Sequence, residues 1–386
     1  MQSDITLPRT IKIGADSVEE LPAILVNNGL SRPLIVTDKV MVELGHAERL
    51  MHIMAKCGIH AEVFDATVPE PTASSIVAGV ERIQKGDIDS IVALGGGSAI
   101  DSAKAIAILG KYGGEMSDYR YPRQVNEPGL PIIAIPTTAG TGAEVTKFTI
   151  ITDEINNEKL LCCGTAFVPI AAIVDYRLTL SLPARVTADT GIDALTHAME
   201  AYISRKANLY SGTQALAAMR LIGPNLKKVF YDGSDENARE KMMLGATLAG
   251  IAFSNASVAL VHGMSRPIGA IFHVPHGLSN AMLLPTVTEW SIPYAIERYA
   301  DCSRAIGAAK FNDNNVKANE KLIRFLQEVN IDLVVPTLAQ FGANQGLFES
   351  SLDVMAQQAL ASGSPENNPR IPSKEEIVSL YRKLWL

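Results

Sequence analysis

The chain has 386 residues, 47% of them hydrophobic and 19% charged, with a formal charge of −7. That length allows two or three domains with sizeable cores, and the acidic balance argues against a nucleic-acid backbone or an anionic membrane as the main partner. No apolar run approaches the ~20 residues of a bilayer span, and "MQSDITLPRT" lacks the basic start and apolar run of a secretory signal.

Through the first 180 or so residues, runs rich in Ile and Val alternate with helical patterns. Strands are expected in "RPLIVTD" (32–38), "AEVFDA" (61–66), "SIVALGGG" (90–97), "PIIAIPTTAG" (131–140) and "AAIVD" (171–175), with helices over 17–28, 46–57 and 74–86. Strands without polar alternation, separated by helices, indicate a parallel sheet covered on both faces. From about Thr187 onward the pattern is helical, as in "TQALAAMRLIGPNLKKVF" and "REKMMLGATLAGIAFSNASVALVHGM". The expected division is an α/β domain over 1–182 and an all-α domain over 183–386.

The segment "SIVALGGGSAIDSAK" reads as strand, three glycines and helix. Gly95, Gly96 and Gly97 permit a sharp turn and close approach of a ligand. Ser98 is the expected N-cap, with Asp101 answering it three residues later. Free amides at a helix start suit an anion such as a pyrophosphate, although the pattern is neither GxGxxG nor a P-loop and tight packing would also use these glycines. Asp38 closes a strand where an acid can bond a ribose 2′-hydroxyl and repel a 2′-phosphate; Thr137, Thr138 and Thr141 follow another strand. Each could be a solvated strand end, but together they favour a dinucleotide.

In the helical half, "DALTHAMEAY" places Asp193 and His197 four apart on one helix face. His262, His273 and His276 lie downstream in "ALVHGMSRPIGAIFHVPHGLSNA". An Asp with three His can bind a first-row divalent ion; taken singly, the Asp–His pair could be an intrahelical hydrogen bond and His262 a core histidine. The four cysteines, Cys57, Cys162, Cys163 and Cys302, form no CxxC and suit a reducing, cytoplasmic setting.

Taken in order, "GGGSAIDSAK", "PTTAGTGAEVT", "GIDALTHAMEAY" and "HGMSRPIGAIFHVPHGLSNA" closely resemble the iron-containing (group III) alcohol dehydrogenase family, over essentially the whole chain. The resemblance implies the dehydroquinate synthase-like, iron-type alcohol dehydrogenase fold: an N-terminal α/β NAD-binding domain and an all-α metal-binding domain. It implies metal ligation by Asp193, His197, His262 and His276, with His273 near the site. It also implies cofactor contacts at Asp38, Gly96, Gly97, Ser98, Thr137, Thr138, Thr141, Lys159 and Leu178, with Asp38 pointing to NAD rather than NADP. The ion, Fe2+ with Zn2+, Ni2+ or Co2+ as alternatives, would act as a Lewis acid on an alcohol or carbonyl oxygen. A homodimer or larger homo-oligomer and a small alcohol or aldehyde substrate are also implied.

The chain departs from the family pattern at Arg266, where many members carry a second histidine thought to shuttle protons. Arginine stays protonated and cannot be a neutral base, so His273, the ribose or water would carry the proton. Arg266 could instead bind a substrate carboxylate, or pair with a structural acid. Beside an alcohol dehydrogenase stand a hydroxyacid dehydrogenase, a hydroxyacid–oxoacid transhydrogenase and a non-redox NAD/metal lyase resembling dehydroquinate synthase.

Overall fold

The structure, a computed structural model, describes residues 3–156 and 158–385. The chain forms two compact units, Asp4–Ser181 and a second running from Leu182 onward.

The first unit contains, in order, β1 (Thr10–Ile13), α1 (Leu21–Asn27), β2 (Pro33–Val36), α2 (Lys39–Glu43), α3 (His46–Ala55), β3 (Glu62–Phe64), α4 (Val77–Lys85), β4 (Ser90–Gly95), α5 (Gly97–Tyr112), β5 (Ile132–Pro136), β6 (Phe148–Asp153), β7 (Glu158–Cys163) and β8 (Ala171–Val174). Six strands make a parallel sheet in the order β1-β8-β5-β4-β2-β3. The pleat explains why its central strands lack polar alternation. Leu34, Val36, Ile91, Ala93 and Ala134 pack on one face with Ile83 of α4 and Ile100 and Ile106 of α5. Ile35, Val92, Leu94, Ile133 and Ile173 pack on the other with Leu25 of α1 and Leu50 and Met54 of α3.

Two elements were not expected from the sequence. β1 is a four-residue edge strand whose pattern "TIKI" carries too little signal to separate from loop. β6 and β7 form an antiparallel hairpin, in register from Phe148–Cys163 to Asp153–Glu158. The pattern over 17–28 also divides, into a 3-10 helix (Ser17–Glu20) and α1, which has Pro22 in its first turn where a missing N–H costs nothing.

The second unit is helical: α6 (Ala184–Ile203), α7 (Leu209–Tyr231), α8 (Glu236–Ser254), α9 (Leu260–Phe272), α10 (His276–Ser291), α11 (Ile296–Ile306), α12 (Asn315–Asp332), α13 (Leu338–Phe341), α14 (Gln345–Ala361) and α15 (Lys374–Arg382). The continuous helical pattern over 239–264 is broken in the fold. α8 stops at Ser254, and Ser257 adopts φ 65° before α9 begins. That break lets α9 start against α6, where its first amides find a carboxylate. Among the described residues, no helix is long and apolar enough to cross a membrane.

Candidate active site

Three helices of the second unit each contribute a pair of residues four apart. α6 supplies Asp193 and His197, α9 supplies His262 and Arg266, and α10 supplies His276 and Asn280. Spacing by four puts each pair on one face. Ligand atoms of Asp193, His197, His262 and His276 all lie within 4.8 Å of one another. Around Asp193 Oδ1, the Nε2 atoms of His262, His276 and His197 stand at 3.5, 3.8 and 3.9 Å. Donors ~2.1 Å from a common ion would lie roughly 3–3.5 Å apart, so small movements would close this set on a first-row cation.

The surrounding groups orient the rings. Glu200 accepts from His262 Nδ1 at 2.7 Å, and from the amides of Ala259 and Val261 at 2.8 and 2.6 Å. His262 therefore holds its proton on Nδ1 and turns Nε2 toward Asp193, the arrangement typical of a ligating imidazole backed by a carboxylate. Ser265 Oγ lies 3.2 Å from His276 Nδ1 and fixes the second ring similarly. His197 stacks between Phe253, at 4.2 Å between ring centres, and His262, at 4.4 Å.

The electrostatics favour a cation. Burial opposes ionisation of Asp193, yet the imidazoles of His197, His276 and His262 outweigh it and hold the carboxyl well below the usual carboxylate range. Burial likewise opposes a charge on His262, but Asp193 and Glu200 overcome it and raise the ring to about 9. Burial takes His276 down to about 3 despite the pull of Asp193, leaving a neutral ring. Asn280 Nδ2 donates to Asp193 Oδ1 at 2.7 Å and sits 3.2 and 3.3 Å from the Nε2 atoms of His262 and His276, while its own buried Oδ1 has no hydrogen-bond partner. One carboxylate oxygen and three ring nitrogens thus converge on one space, and a metal ion, displacing the proton that His262 otherwise carries, suits that donor set.

His273 closes α9 in a left-handed conformation, φ 55°, and its side chain is exposed. Arg266 sits one turn beyond His262.

In the first unit, the residues expected to meet a dinucleotide gather at the carboxyl ends of adjacent strands, where open α/β sheets bind ligands. Gly95 ends β4 at φ 144°, Gly96 precedes α5, and Thr137 N donates to Gly95 O at 2.9 Å. A Cβ on Gly97 would come within 2.7 Å of Thr141 Cγ2, and one on Gly96 within 3.3 Å of Thr138 Cγ2. The glycines therefore let the β5 loop lie against the start of α5. Asp38 follows neighbouring β2 and caps α2, accepting from Met41 N at 3.0 Å. Its other oxygen, Oδ2, lies 3.5 Å from where a Gly95 Cβ would be.

Ser98 is not the N-cap expected from sequence: Gly96 is, and no side chain caps the helix. Ser98 Oγ instead accepts from Glu70 N at 3.2 Å. Asp101 does not turn back to the cap; part-buried, it accepts from Ile150 N of β6 at 3.2 Å and feels the charge of Lys104. Lys159, on β7, pairs with Glu70, whose amide meets Ser98; burial lowers the lysine ammonium to about 8. Leu178 is buried in the core layer with Leu94 and Ile173.

Comparison with known proteins agrees with this arrangement. Residues 8–176 match the family described as iron-containing alcohol dehydrogenase, and residues 187–385 match the C-terminal part of the Fe-containing alcohol dehydrogenase family. Alcohol dehydrogenase 4 of Saccharomyces cerevisiae is 34% identical over 382 residues, covering 98% of this chain and 97% of the yeast protein. The crystal structure of 1,3-propanediol oxidoreductase superposes with a TM-score of 0.95 at 32% identity, covering 100% of both chains. Sulfoacetaldehyde reductase from Bifidobacterium kashiwanohense, in complex with NAD+, gives 0.89 at 28% identity, covering 100% of this chain and 99% of that one. The chain therefore belongs to the iron-containing alcohol dehydrogenase family and is an oxidoreductase acting on CH–OH groups.

Proposed function

We propose that Asp193, His197, His262 and His276 hold one divalent first-row ion and that the unit before Leu182 binds NAD, together oxidising a small alcohol or reducing its aldehyde or ketone. The observation that carries this reading is the convergence of four ligand atoms within 4.8 Å. Fe2+ is the ion the family name gives; the same donors accept Zn2+, Ni2+ or Co2+. A bound ion would supply Lewis acidity to the alcohol or carbonyl oxygen, and the nicotinamide would accept or return hydride.

The chain's own residues do the positioning. Asp193 offsets part of the ion's charge, Glu200 and Ser265 fix the rings of His262 and His276, and the neutral state of His276 leaves its lone pair available. NAD is supported by the glycine turn beside Asp38 and by the NAD+ complex of the sulfoacetaldehyde reductase relative. We assign Gly96, Gly97, Ser98, Thr137, Thr138, Thr141 and Lys159 to its phosphate and ribose side, with Asp38 selecting against a 2′-phosphate. Leu178 contributes through its backbone, its side chain being committed to the core. Exposed His273 is the candidate to carry the proton to solvent. The four free cysteines support a cytoplasmic location, and a homodimer or larger assembly follows the family.

The test is protein reconstituted anaerobically with Fe2+ and given NAD with short alcohols and diols. Net NADH formation, lost on chelation, is expected. Turnover without net NADH would favour a lyase, and turnover without added NAD a transhydrogenase.

A further inference from the structure

Among the described residues, the two fully buried Lys and Arg side chains, Lys104 and Arg239, each donate to acceptors, although one nitrogen of Arg239 lacks a partner. Lys104 donates to Thr146 O, Thr146 Oγ1 and Phe148 O at 3.0, 3.0 and 2.8 Å. Arg239 donates to Gly233 O and Thr187 Oγ1, both at 2.9 Å. Arg266 differs. No group among the described residues accepts a hydrogen bond from it or forms an ion pair with it. The residue is part-buried, and partial desolvation lowers its guanidinium to about 10 and leaves it cationic near neutrality.

Its surroundings locate that charge. Arg266 is one turn from His262 on the same face of α9, and its side chain leans toward the helix start. Its positive charge acts on His276, and the acid whose charge acts on it is Glu200. Glu200 has no oxygen to spare: Oε2 accepts from His262 Nδ1 and Ala259 N, and Oε1 from Val261 N. The guanidinium thus stands beside the four-residue donor cluster with its donors unused. A part-buried guanidinium with free donors beside such a cluster is placed to pair with an arriving anion, and its planar fork fits an oxyanion best.

We propose that Arg266 receives an anionic substituent of the substrate, so that the alcohol oxidised is a short hydroxy acid bearing a carboxylate or sulfonate and the carbonyl reduced is its oxo acid. This rests on the oxidoreductase reading above and narrows its substrate class. A neutral alcohol can still react, but it leaves the guanidinium without a partner and gains nothing from it.

The experiment compares 3-hydroxypropionate with 1-propanol, and 2-hydroxyethanesulfonate with ethanol, on Fe2+-loaded enzyme with NAD. Wild type should favour the charged member of at least one pair in kcat/KM; the pair with the larger ratio identifies carboxylate or sulfonate. In Arg266→Ala that ratio should fall on the order of 30-fold, chiefly through KM for the acid, and Arg266→Lys should restore part of it. Thermal unfolding gives a second readout. The preferred acid should raise Tm of wild type but not of Arg266→Ala, and the unliganded variant should melt within a few degrees of wild type because no hydrogen bond or ion pair was removed. Preference for both neutral alcohols, equal losses for acid and alcohol, or a Tm drop of several degrees without ligand each overturn the proposal. If no alcohol yields NADH, the oxidoreductase reading fails, while the Arg266-dependent Tm shift still decides whether this residue binds an anion.

Discussion

Glu200 Oε2 and His262 Nδ1 lie 2.7 Å apart, both buried. The same carboxylate accepts the amides of Ala259 and Val261 at the start of α9. Glu200→Gln keeps the amide acceptor but removes the charge that fixes His262. Metal affinity is expected to fall about 10–100-fold, read by competition with a chelator. Unchanged affinity would mean that Glu200 serves the helix start alone.

His276→Ala removes one of four converging donors while leaving α10 its preceding Pro275. Stoichiometric ion uptake, measured by elemental analysis after anaerobic loading, should be lost, and NADH formation with it. Retention of one tightly held ion per chain in this variant would refute the four-donor assignment.

Asp38→Ser keeps a capping oxygen for Met41 N but removes the negative charge beside Gly95. Discrimination against NADP should relax, with kcat/KM for NADP relative to NAD rising about tenfold or more. An unaltered ratio would place cofactor selection elsewhere.

Gly97→Ala would drive a Cβ to 2.7 Å from Thr141 Cγ2. Overpacking of this kind costs about 1–3 kcal/mol, and displacement of the β5 loop from the helix start should weaken NAD binding about tenfold. Fluorescence titration with NADH checks the second effect and urea unfolding the first.

Lys104→Met removes three hydrogen bonds from a buried position and leaves part-buried Asp101 without its nearby positive charge. Losing one member of a buried charged pair costs about 3–5 kcal/mol, so the urea midpoint should fall clearly. A neutral result would show that Asp101 is already protonated.

The parallel sheet was readable because its central strands are buried on both faces and carry unbroken Ile and Val, while β1 and the β6–β7 hairpin, short or partly exposed, left only faint patterns. At the site, four-residue spacing exposed Asp193 and His197, the sparse histidines pointed to His262, His273 and His276, and the family resemblance chose His262 and His276 among them. Glu200 was missed although it stands three residues after His197 on the same face; an acid among Ala and Met on a buried helix was the available clue. Asn280 and Ser265 carried no such clue, since polar residues on helices usually face solvent. Ser98 was misassigned as a cap because capping depends on where the helix starts, and three successive glycines conceal that point.

The tie between Glu200 and the opening amides of α9 makes ion grip and helix seating a single property. Anything that frays residues 257–261 must also swing the imidazole one step beyond, so drift in this short stretch would surface as a leaky centre long before the protein as a whole loosens.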